Sequence, residues 1–279
     1  MFNDEKVAMI GAGSMAEAII SGILKKKFLP PELIWVTNRS NDDHLNRLKE
    51  KYGVMIAKEK EAVIRDASII ILAMKPKDVK EGLRSISHDV SGDQLVISVI
   101  AGISTDFISE HLPEGIAVIR AMPNTSAAVG QSATALAKGN YATDRHVEKA
   151  KALFSTIGSV SCVEEEDLHV VTGLSGSGPA YLYYLAEAFE ESALRLGLDQ
   201  GVAKELIIQT FVGAAEMLKK SELPPETLRQ QVTSPGGTTE AGIQTLEDYQ
   251  VKEAVYECIQ SASKRSRELG KWFHSPAKR

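Results

Sequence analysis

The sequence predicts an α/β protein, with a mainly parallel sheet in its N-terminal part and an all-α C-terminal part. Up to residue 163, short apolar runs alternate with segments of helical periodicity, which is typical of strand–helix–strand units. Beyond that point the strand pattern stops, and the remaining segments have helical periodicity. We therefore expect one domain over residues 1–163 and a second over residues 164–279.

The N-terminal part contains eight segments with the composition of strands, at residues 7–10, 33–37, 54–56, 69–73, 95–99, 117–121, 133–137 and 160–163. The run 69–73 is apolar without alternation, as expected for a strand buried on both faces of a sheet. Helical periodicity predicts helices between the strands, at residues 16–25, 42–51, 79–87, 105–110 and 146–156.

The C-terminal part contains three long helical segments, at residues 177–196, 202–218 and around 255–262. The first is apolar on more than one face, since Tyr183 and Tyr184 lie beside its main apolar stripe. A helix that is apolar on several faces must be buried on several sides, and a bundle of this size has little interior. We expect this domain to pack against a second copy of the chain, which makes the protein a homodimer.

A glycine-rich segment follows the first predicted strand directly and consists of Gly11, Ala12, Gly13, Ser14 and Met15. Gly11 permits a tight turn, Gly13 lets the backbone approach a pyrophosphate, and the small Ala16 keeps helix and sheet close. Phosphate then meets the free amides of the helix start. A GxGxxA segment also occurs in turns without a ligand, but its place in an alternating α/β domain favours a Rossmann-type dinucleotide site.

The end of the second strand predicts which dinucleotide binds. Asn38, Arg39 and Ser40 follow this strand, and the first acid is Asp42. An NAD enzyme has an acid here for the ribose hydroxyls, whereas a 2′-phosphate needs a cation. Arg39 can bind that phosphate as a fork while Ser40 donates a hydrogen bond. We expect NADPH, with NADH used less well; the alternative is that Asp42 caps the next helix and Arg39 lies in solvent.

Two segments of small residues lie in the helical part. One spans residues 173–181 and leads into the long helix; the other, Ser-Pro-Gly-Gly-Thr-Thr at 234–239, precedes a helix predicted at 240–246. A turn of the second kind at a helix start offers amides and hydroxyls to a small carboxylate. The alternative is a helix cap with a flexible turn.

Together with the segments Leu-Ala-Met-Lys-Pro at 72–76 and Arg-Ala-Met-Pro-Asn-Thr at 120–125, these features resemble the pyrroline-5-carboxylate reductases. The resemblance covers nearly the whole chain, and the stretch 232–246 is specific to that family. It implies hydride transfer from NADPH to the C=N bond of 1-pyrroline-5-carboxylate, which gives L-proline in the last step of proline biosynthesis. It also implies interleaved helical domains, so that each active site draws on two chains, and in some members rings of dimers.

The resemblance assigns roles to individual residues. The implied cofactor-binding residues are Gly11, Ala12, Gly13, Ser14, Met15, Asn38, Arg39, Ser40, Ala73, Met74, Lys75, Pro76, Met122, Pro123 and Asn124. The implied substrate-binding residues are Ser234, Gly237, Thr238 and Thr239, the last of which is the catalytic residue that hydrogen-bonds the ring nitrogen. Ser126 replaces the family's usual proline, which is expected to loosen that turn, and Glu59 replaces an expected asparagine. Similar enzymes carry a glutamate close to the site near this position, so Glu222 is a candidate helper, with a surface carboxylate as the alternative.

Other chemistries fit the sequence less well. The six histidines have no paired Asp or Ser spacing, so each is expected to be structural or solvated rather than catalytic. The two cysteines, Cys162 and Cys258, are isolated, so no metal site is expected. Ser175 follows a helical pattern rather than a strand, which argues against a hydrolase elbow. A β-hydroxyacid dehydrogenase would need a lysine where Leu182 stands. A nucleotide-binding protein without turnover is the alternative from another class, and it would not need the 234–239 turn.

The net charge of −5 and the absence of an apolar run long enough for a membrane span predict no nucleic-acid or membrane partner. The N-terminus lacks the features of a signal peptide, so we expect a cytoplasmic protein. The sequence leaves open a six-membered cyclic imine as substrate, the protonation state of the bound imine, feedback by proline and the assembly beyond a dimer.

Overall fold

The structure, a computed structural model, describes residues 5–39, 41–57 and 60–274, without the side chains of residues 60, 62 and 271–274. Ser40 and Glu59 lie outside the described residues. The chain forms two compact units: the described residues up to Ser177 with those from Gln260 onward, and residues 178–259. These units follow packing, whereas the predicted division at residue 163/164 follows the change from strands to helices.

The first unit contains one eight-stranded sheet, in the order β3-β2-β1-β4-β5-β6-β7-β8. The strands are β1 (Val7–Ile10), β2 (Ile34–Thr37), β3 (Met55–Ile56), β4 (Ile69–Leu72), β5 (Leu95–Ser98), β6 (Ala117–Met122), β7 (Ser132–Lys138) and β8 (Gly158–Cys162). All neighbours are parallel except β6 and β7, which are antiparallel. Every predicted strand is therefore confirmed, with small shifts at the ends.

Successive residues of the central strands enter two separate cores, as the pleat of a strand requires. Val7 and Ile69 pack into the core on one face of the sheet, whereas Ala8 and Ile70 pack into the core on the other. All four are completely buried. This two-sided burial explains the apolar runs of β1 and β4, and it holds the ends of these strands in a fixed place.

The helices of the first unit cover the two faces of the sheet. They are α1 (Ser14–Lys25), α2 (Asp42–Tyr52), α3 (Lys60–Arg65), α4 (Val79–Arg84), α5 (Thr105–Ser109), α6 (Asp144–Phe154) and α7 (Leu168–Val171). The five helices predicted for this part are confirmed, and the short α3 and α7 were not predicted. Asn41, rather than Asp42, caps α2, because its side chain accepts a hydrogen bond from the amide of His44.

The second unit consists of α8 (Gly178–Arg195), α9 (Gln200–Lys220), α10 (Pro225–Gln231), α11 (Thr238–Asp248) and the start of α12 (Val251–His274). Within residues 178–259, Ala203 alone is buried, whereas Tyr184 is 72% and Leu196 is 88% exposed. Such apolar exposure is typical of a surface that another chain covers. Among the described helices, none is long and apolar enough to cross a membrane.

Candidate cofactor and substrate sites

The loop after β1 and the loop after β4 touch at the carboxyl edge of the sheet, where the strand order reverses. Gly11 has φ +113°, and a Cβ atom there would lie 2.5 Å from the carbonyl oxygen of Ala73. Its amide donates to the carbonyl of Thr37 at 2.8 Å. A glycine is therefore required at position 11. Ligands of open α/β sheets bind in the crevice at such a switch point.

Gly13 is the N-cap of α1 and faces open space, since a Cβ atom there would meet nothing within 4 Å. The amides of Ser14, Met15 and Ala16 form the first turn of this twelve-residue helix. Such amides have no acceptor within their own helix, and they carry its positive dipole end. Backbone and space at this turn therefore fit a pyrophosphate.

An open cleft of about 780 Å³ runs along these loops. Its lining residues are Gly11, Ala12, Gly13, Asn38, Arg39, Asn41, His44, Ala73, Met74, Lys75, Lys77 and Asp78. The structure thus brings most of the predicted cofactor residues together from three loops. The sequence analysis did not single out Asn41, Lys77 or Asp78, whose residue types are common on solvated surfaces.

His44 supports the glycine-rich loop. Its Nε2 contacts the carbonyl oxygen of Ala12, and its Nδ1 lies 2.7 Å from Nη2 of Arg47. A carbonyl only accepts, so Nε2 carries the hydrogen and Nδ1 accepts from the guanidinium. This arrangement agrees with the structural role expected for the histidines.

Arg39 lies at the mouth of the cleft and pairs with two acids. Its Nη1 is 2.8 Å from Oε2 of Glu81 and 3.5 Å from Oδ1 of Asp78. The arginine side chain is 65% exposed. The sequence analysis did not anticipate either acid as a partner of Arg39, because both belong to the segment after β4.

Asn124 closes the end of β6, at the same carboxyl edge of the sheet. The buried side-chain amide of Asn124 donates to the carbonyl of Ser175 at 2.9 Å, and its backbone amide donates to Oγ of Ser132 at 3.1 Å. The amide of Ser126 donates to Oδ1 of Asn124 at 3.2 Å, which a proline could not do. Ser126 therefore ties this turn to Asn124 rather than loosening it.

The segment expected as a loop at 173–181 is helical. A π-helix covers Thr172–Gly176, and α8 begins at Gly178. Oγ1 of Thr172 donates to the carbonyl of Leu168 at 2.6 Å, and Oγ of Ser175 donates to that of Val171 at 3.3 Å. Together with the hydrogen bond from Asn124, these bonds stabilise a helical conformation that the glycines of this segment would not favour by themselves.

The 234–239 turn starts α11, two residues earlier than predicted. Gly236 has φ +71°, and the amide of Gly237 donates to the carbonyl of Ser234 at 3.0 Å. A Cβ atom at Gly237 would lie 2.5 Å from Oγ of Ser234. Gly237 is the N-cap of α11, so Thr238 and Thr239 stand in its first turn.

Two of the donors expected for a carboxylate are used within the turn. The amide of Gly236 donates to Oε2 of Glu240 at 2.7 Å, and that of Gly237 is bonded to Ser234. The first-turn amides of Thr238 and Thr239 remain, as helix geometry requires. Glu240 adds a negative charge to this turn that the sequence analysis did not consider. Glu222 is exposed beyond the end of α9, as expected for a surface carboxylate.

Across the described residues, no group of three or more His, Cys, Asp or Glu side chains is arranged to hold a metal ion. The fold and the cleft define an NAD(P)H-dependent oxidoreductase with a Rossmann-type domain.

Comparison with known proteins narrows this class. Residues 165–269 match the family described as pyrroline-5-carboxylate reductase dimerisation, and residues 6–102 match NADP oxidoreductase, coenzyme F420-dependent. The chain is 48% identical over 273 residues to pyrroline-5-carboxylate reductase 2 of Bacillus subtilis, covering 98% of both chains. It is 36% identical to a pyrroline-5-carboxylate reductase of Methanosarcina acetivorans, covering 96% of this chain and 99% of that one.

A solved pyrroline-5-carboxylate reductase from Coxiella burnetii superposes with a TM-score of 0.90 at 35% identity, covering 96% of this chain and 99% of that one. A Plasmodium falciparum pyrroline carboxylate reductase with NADP bound has a TM-score of 0.86 at 26% identity, with the same coverage. The chain belongs to the pyrroline-5-carboxylate reductase family. It is an NAD(P)H-dependent imine reductase of proline biosynthesis, and it forms a homodimer through its dimerisation domain.

Proposed function

We propose that the chain reduces 1-pyrroline-5-carboxylate to L-proline, with the cofactor bound in the cleft at Gly11 and the substrate carboxylate bound at the 234–239 turn. The observation that carries this proposal is the pair of helix starts. Both α1 and α11 begin at a glycine N-cap, and both lead with amides that have no partner within the helix. The start of α1 suits a pyrophosphate, and the start of α11 suits a small carboxylate.

The proposed cofactor-binding residues are those named from the sequence. They are Gly11, Ala12, Gly13, Ser14, Met15, Asn38, Arg39, Ser40, Ala73, Met74, Lys75, Pro76, Met122, Pro123 and Asn124. The open cleft supports eight of them, because the loops after β1, β2 and β4 line it with Gly11, Ala12, Gly13, Asn38, Arg39, Ala73, Met74 and Lys75. When bound, NADPH supplies the hydride, and Arg39 is the cation for its 2′-phosphate.

The proposed substrate-binding residues are Ser234, Gly237, Thr238 and Thr239. The amides of Thr238 and Thr239 bind the carboxylate, and the hydroxyl of Ser234 lies against Gly237 on the same turn. The carboxylate of Glu240 repels the substrate carboxylate at this turn, so the attraction of the amides and the dipole of α11 must exceed that repulsion. Holding the ring in one orientation supplies several kcal/mol of the barrier, because positioning replaces a random encounter.

Thr239 is the proposed catalytic residue. Its side chain is half-buried in the first turn of α11. An alcohol is too weak an acid to release its proton freely, but it donates a hydrogen bond to the ring nitrogen as electron density develops there. Its role is to orient the C=N bond and to stabilise the nitrogen.

Isotope transfer tests this function. The purified enzyme is supplied with 1-pyrroline-5-carboxylate and NADPH that carries deuterium at the transferred C4 position. We expect proline with a single deuterium on the ring carbon of the former C=N bond, detected by mass spectrometry and NMR. Oxidation of NADPH without deuterium in proline would reject the proposal, and a parallel reaction with a six-membered cyclic imine measures the preference for ring size.

We also propose that dimers assemble into rings and that the enzyme acts in the cytoplasm. The family resemblance supports the first proposal. The exposed free thiols of Cys162 and Cys258 support a reducing compartment. Sedimentation at micromolar concentration tests the assembly, and fluorescence microscopy of the tagged protein tests the location.

A further inference from the structure

The ion pair at Arg39 joins two loops that both face the cofactor cleft. Arg39 follows β2, whereas Asp78 stands just before α4 and Glu81 lies in the first turn of α4. All three also line a smaller cavity of about 100 Å³, together with Gly11, Asn38 and Met74. The guanidinium that is proposed to bind the 2′-phosphate therefore already has carboxylate partners.

We propose that Glu81, with Asp78 as a weaker contributor, sets the preference between the two nicotinamide cofactors by competing with the 2′-phosphate for Arg39. This inference rests on the proposed role of Arg39. Glu81 makes the closer contact, at 2.8 Å against 3.5 Å for Asp78. It acts through Arg39 and is a positioning residue, with no part in hydride transfer.

The competition follows from charge. A 2′-phosphate must either take the Nη1 donor from Glu81 or bind beside two carboxylates that repel it. The 2′-hydroxyl of NADH requires neither, so the acids weaken NADPH binding and leave NADH binding nearly unchanged. Arg39 and Glu81 are 65% and 67% exposed, so the guanidinium can exchange partners without burying a charge.

The competing explanation is that the ion pair between Arg39 and Glu81 serves only to hold α4 in place. The packing of α4 argues against this explanation. Val79 and Leu83 anchor this helix in the core and are at most 1% exposed. An exposed ion pair adds little to such an anchor. Removing the carboxylate of Glu81 should therefore leave α4 in place and change only the electrostatics at Arg39.

The test uses two fragments of the cofactors that differ only in the presence of the 2′-phosphate. Calorimetry measures the binding of 2′,5′-ADP and of 5′-AMP to the intact wild-type enzyme and to Glu81→Gln. We expect Glu81→Gln to bind 2′,5′-ADP about three- to tenfold more tightly, in keeping with the loss of an exposed pair and its repulsion, and to bind 5′-AMP as the wild type does. Unchanged or weaker 2′,5′-ADP binding, or an equal change for both fragments, overturns the proposal.

Two further variants separate the possible failures. Glu32→Gln removes the same charge from an exposed glutamate before β2, at the opposite edge of the sheet, and should change neither fragment. Arg39→Ala should weaken 2′,5′-ADP and remove the benefit of Glu81→Gln in the double variant. If Arg39→Ala leaves 2′,5′-ADP binding unchanged, the assignment of Arg39 itself fails. If Arg39→Ala weakens 2′,5′-ADP binding while Glu81→Gln has no effect, the role of Arg39 stands and the competition between Glu81 and the 2′-phosphate is rejected.

Discussion

The side-chain amide of Asn124 donates a hydrogen bond to the backbone carbonyl of Ser175 at 2.9 Å. This bond joins the end of β6, next to the proposed cofactor-binding residues Met122 and Pro123, to the π-helix that precedes α8. Because Asn124 is buried, loss of its side chain leaves polar backbone groups without partners. The connection between the end of β6 and this π-helix thus depends on one side-chain amide.

Asn124→Ala is therefore expected to destabilise the protein. Unpartnered buried groups cost about 1–3 kcal/mol each, and we expect a loss of that size in the free energy of unfolding, with a lower kcat. Denaturant titration at fixed protein concentration measures it. Asn140→Ala is the control, since Asn140 is exposed and its amide donates to Asp106 at 3.2 Å; an equal loss in both variants would contradict the account.

The two glycines of the first loop should respond differently to alanine. Gly11→Ala places a Cβ atom 2.5 Å from the carbonyl of Ala73 at a positive φ, so we expect both stability and cofactor binding to fall. Gly13→Ala meets no protein atom, so we expect stability to change by less than about 1 kcal/mol while NADPH binding weakens strongly. Thermal melts with and without NADPH distinguish the two, and normal NADPH affinity in Gly13→Ala would argue against a pyrophosphate at this turn.

Thr239→Ala should lower kcat by at least about tenfold, the value of one hydrogen bond of ordinary strength, with little change in KM for NADPH. Thr239→Ser keeps the hydroxyl and should recover most of the rate. Thr245→Ala is the control on the same helix, because the hydroxyl of Thr245 donates to the carbonyl of Ala241 within α11, at 3.1 Å. A wild-type rate in Thr239→Ala would remove Thr239 from the mechanism.

Stability should fall as the pH is lowered through the range of histidine titration. Burial lowers the pKa of His169, and the nearby charge of Arg120 lowers it further; Arg267 acts in the same direction, while Glu165 and Glu166 oppose it. The unfolded chain therefore binds more protons at this position than the folded one. The contribution of His169 to the free energy of unfolding is fully present above the unfolded pKa of about 6.5 and is lost as the pH falls below that value.

The corresponding measurement is the free energy of unfolding between pH 8 and pH 5, compared with His169→Asn. Burial also lowers the pKa of His146, so His146→Asn should act in the same direction. We expect each variant to lose less stability on acidification than the wild type does. Identical pH slopes in the wild type and in the double variant would show that these histidines do not carry the effect.

The sheet and the first loop were predictable because local residues determine them. Strands buried on both faces need unbroken apolar runs, such as those of β1 and β4, and the close contact of Gly11 with Ala73 requires a glycine. The antiparallel pairing of β6 with β7 left no comparable mark, because a buried antiparallel strand can have the same apolar composition as a parallel one.

The features that the sequence did not predict depend on contacts between distant residues. Glu81 lies 42 positions from its partner Arg39, and Asn124 stabilises a helical turn 51 positions away that small residues alone predicted as a loop. Arg120 stood within a recognisable segment, yet only the fold shows that it is buried beside Glu165, at 3.4 Å.

The central claim is that the substrate's acid group binds to the backbone at the start of α11. Titrating the labelled enzyme–NADP⁺ complex with L-proline, and following the amide resonances by NMR, tests it directly. The account predicts saturable shifts of the Thr238 and Thr239 amides. Shifts confined to other segments, with these two amides unmoved at saturation, would contradict it.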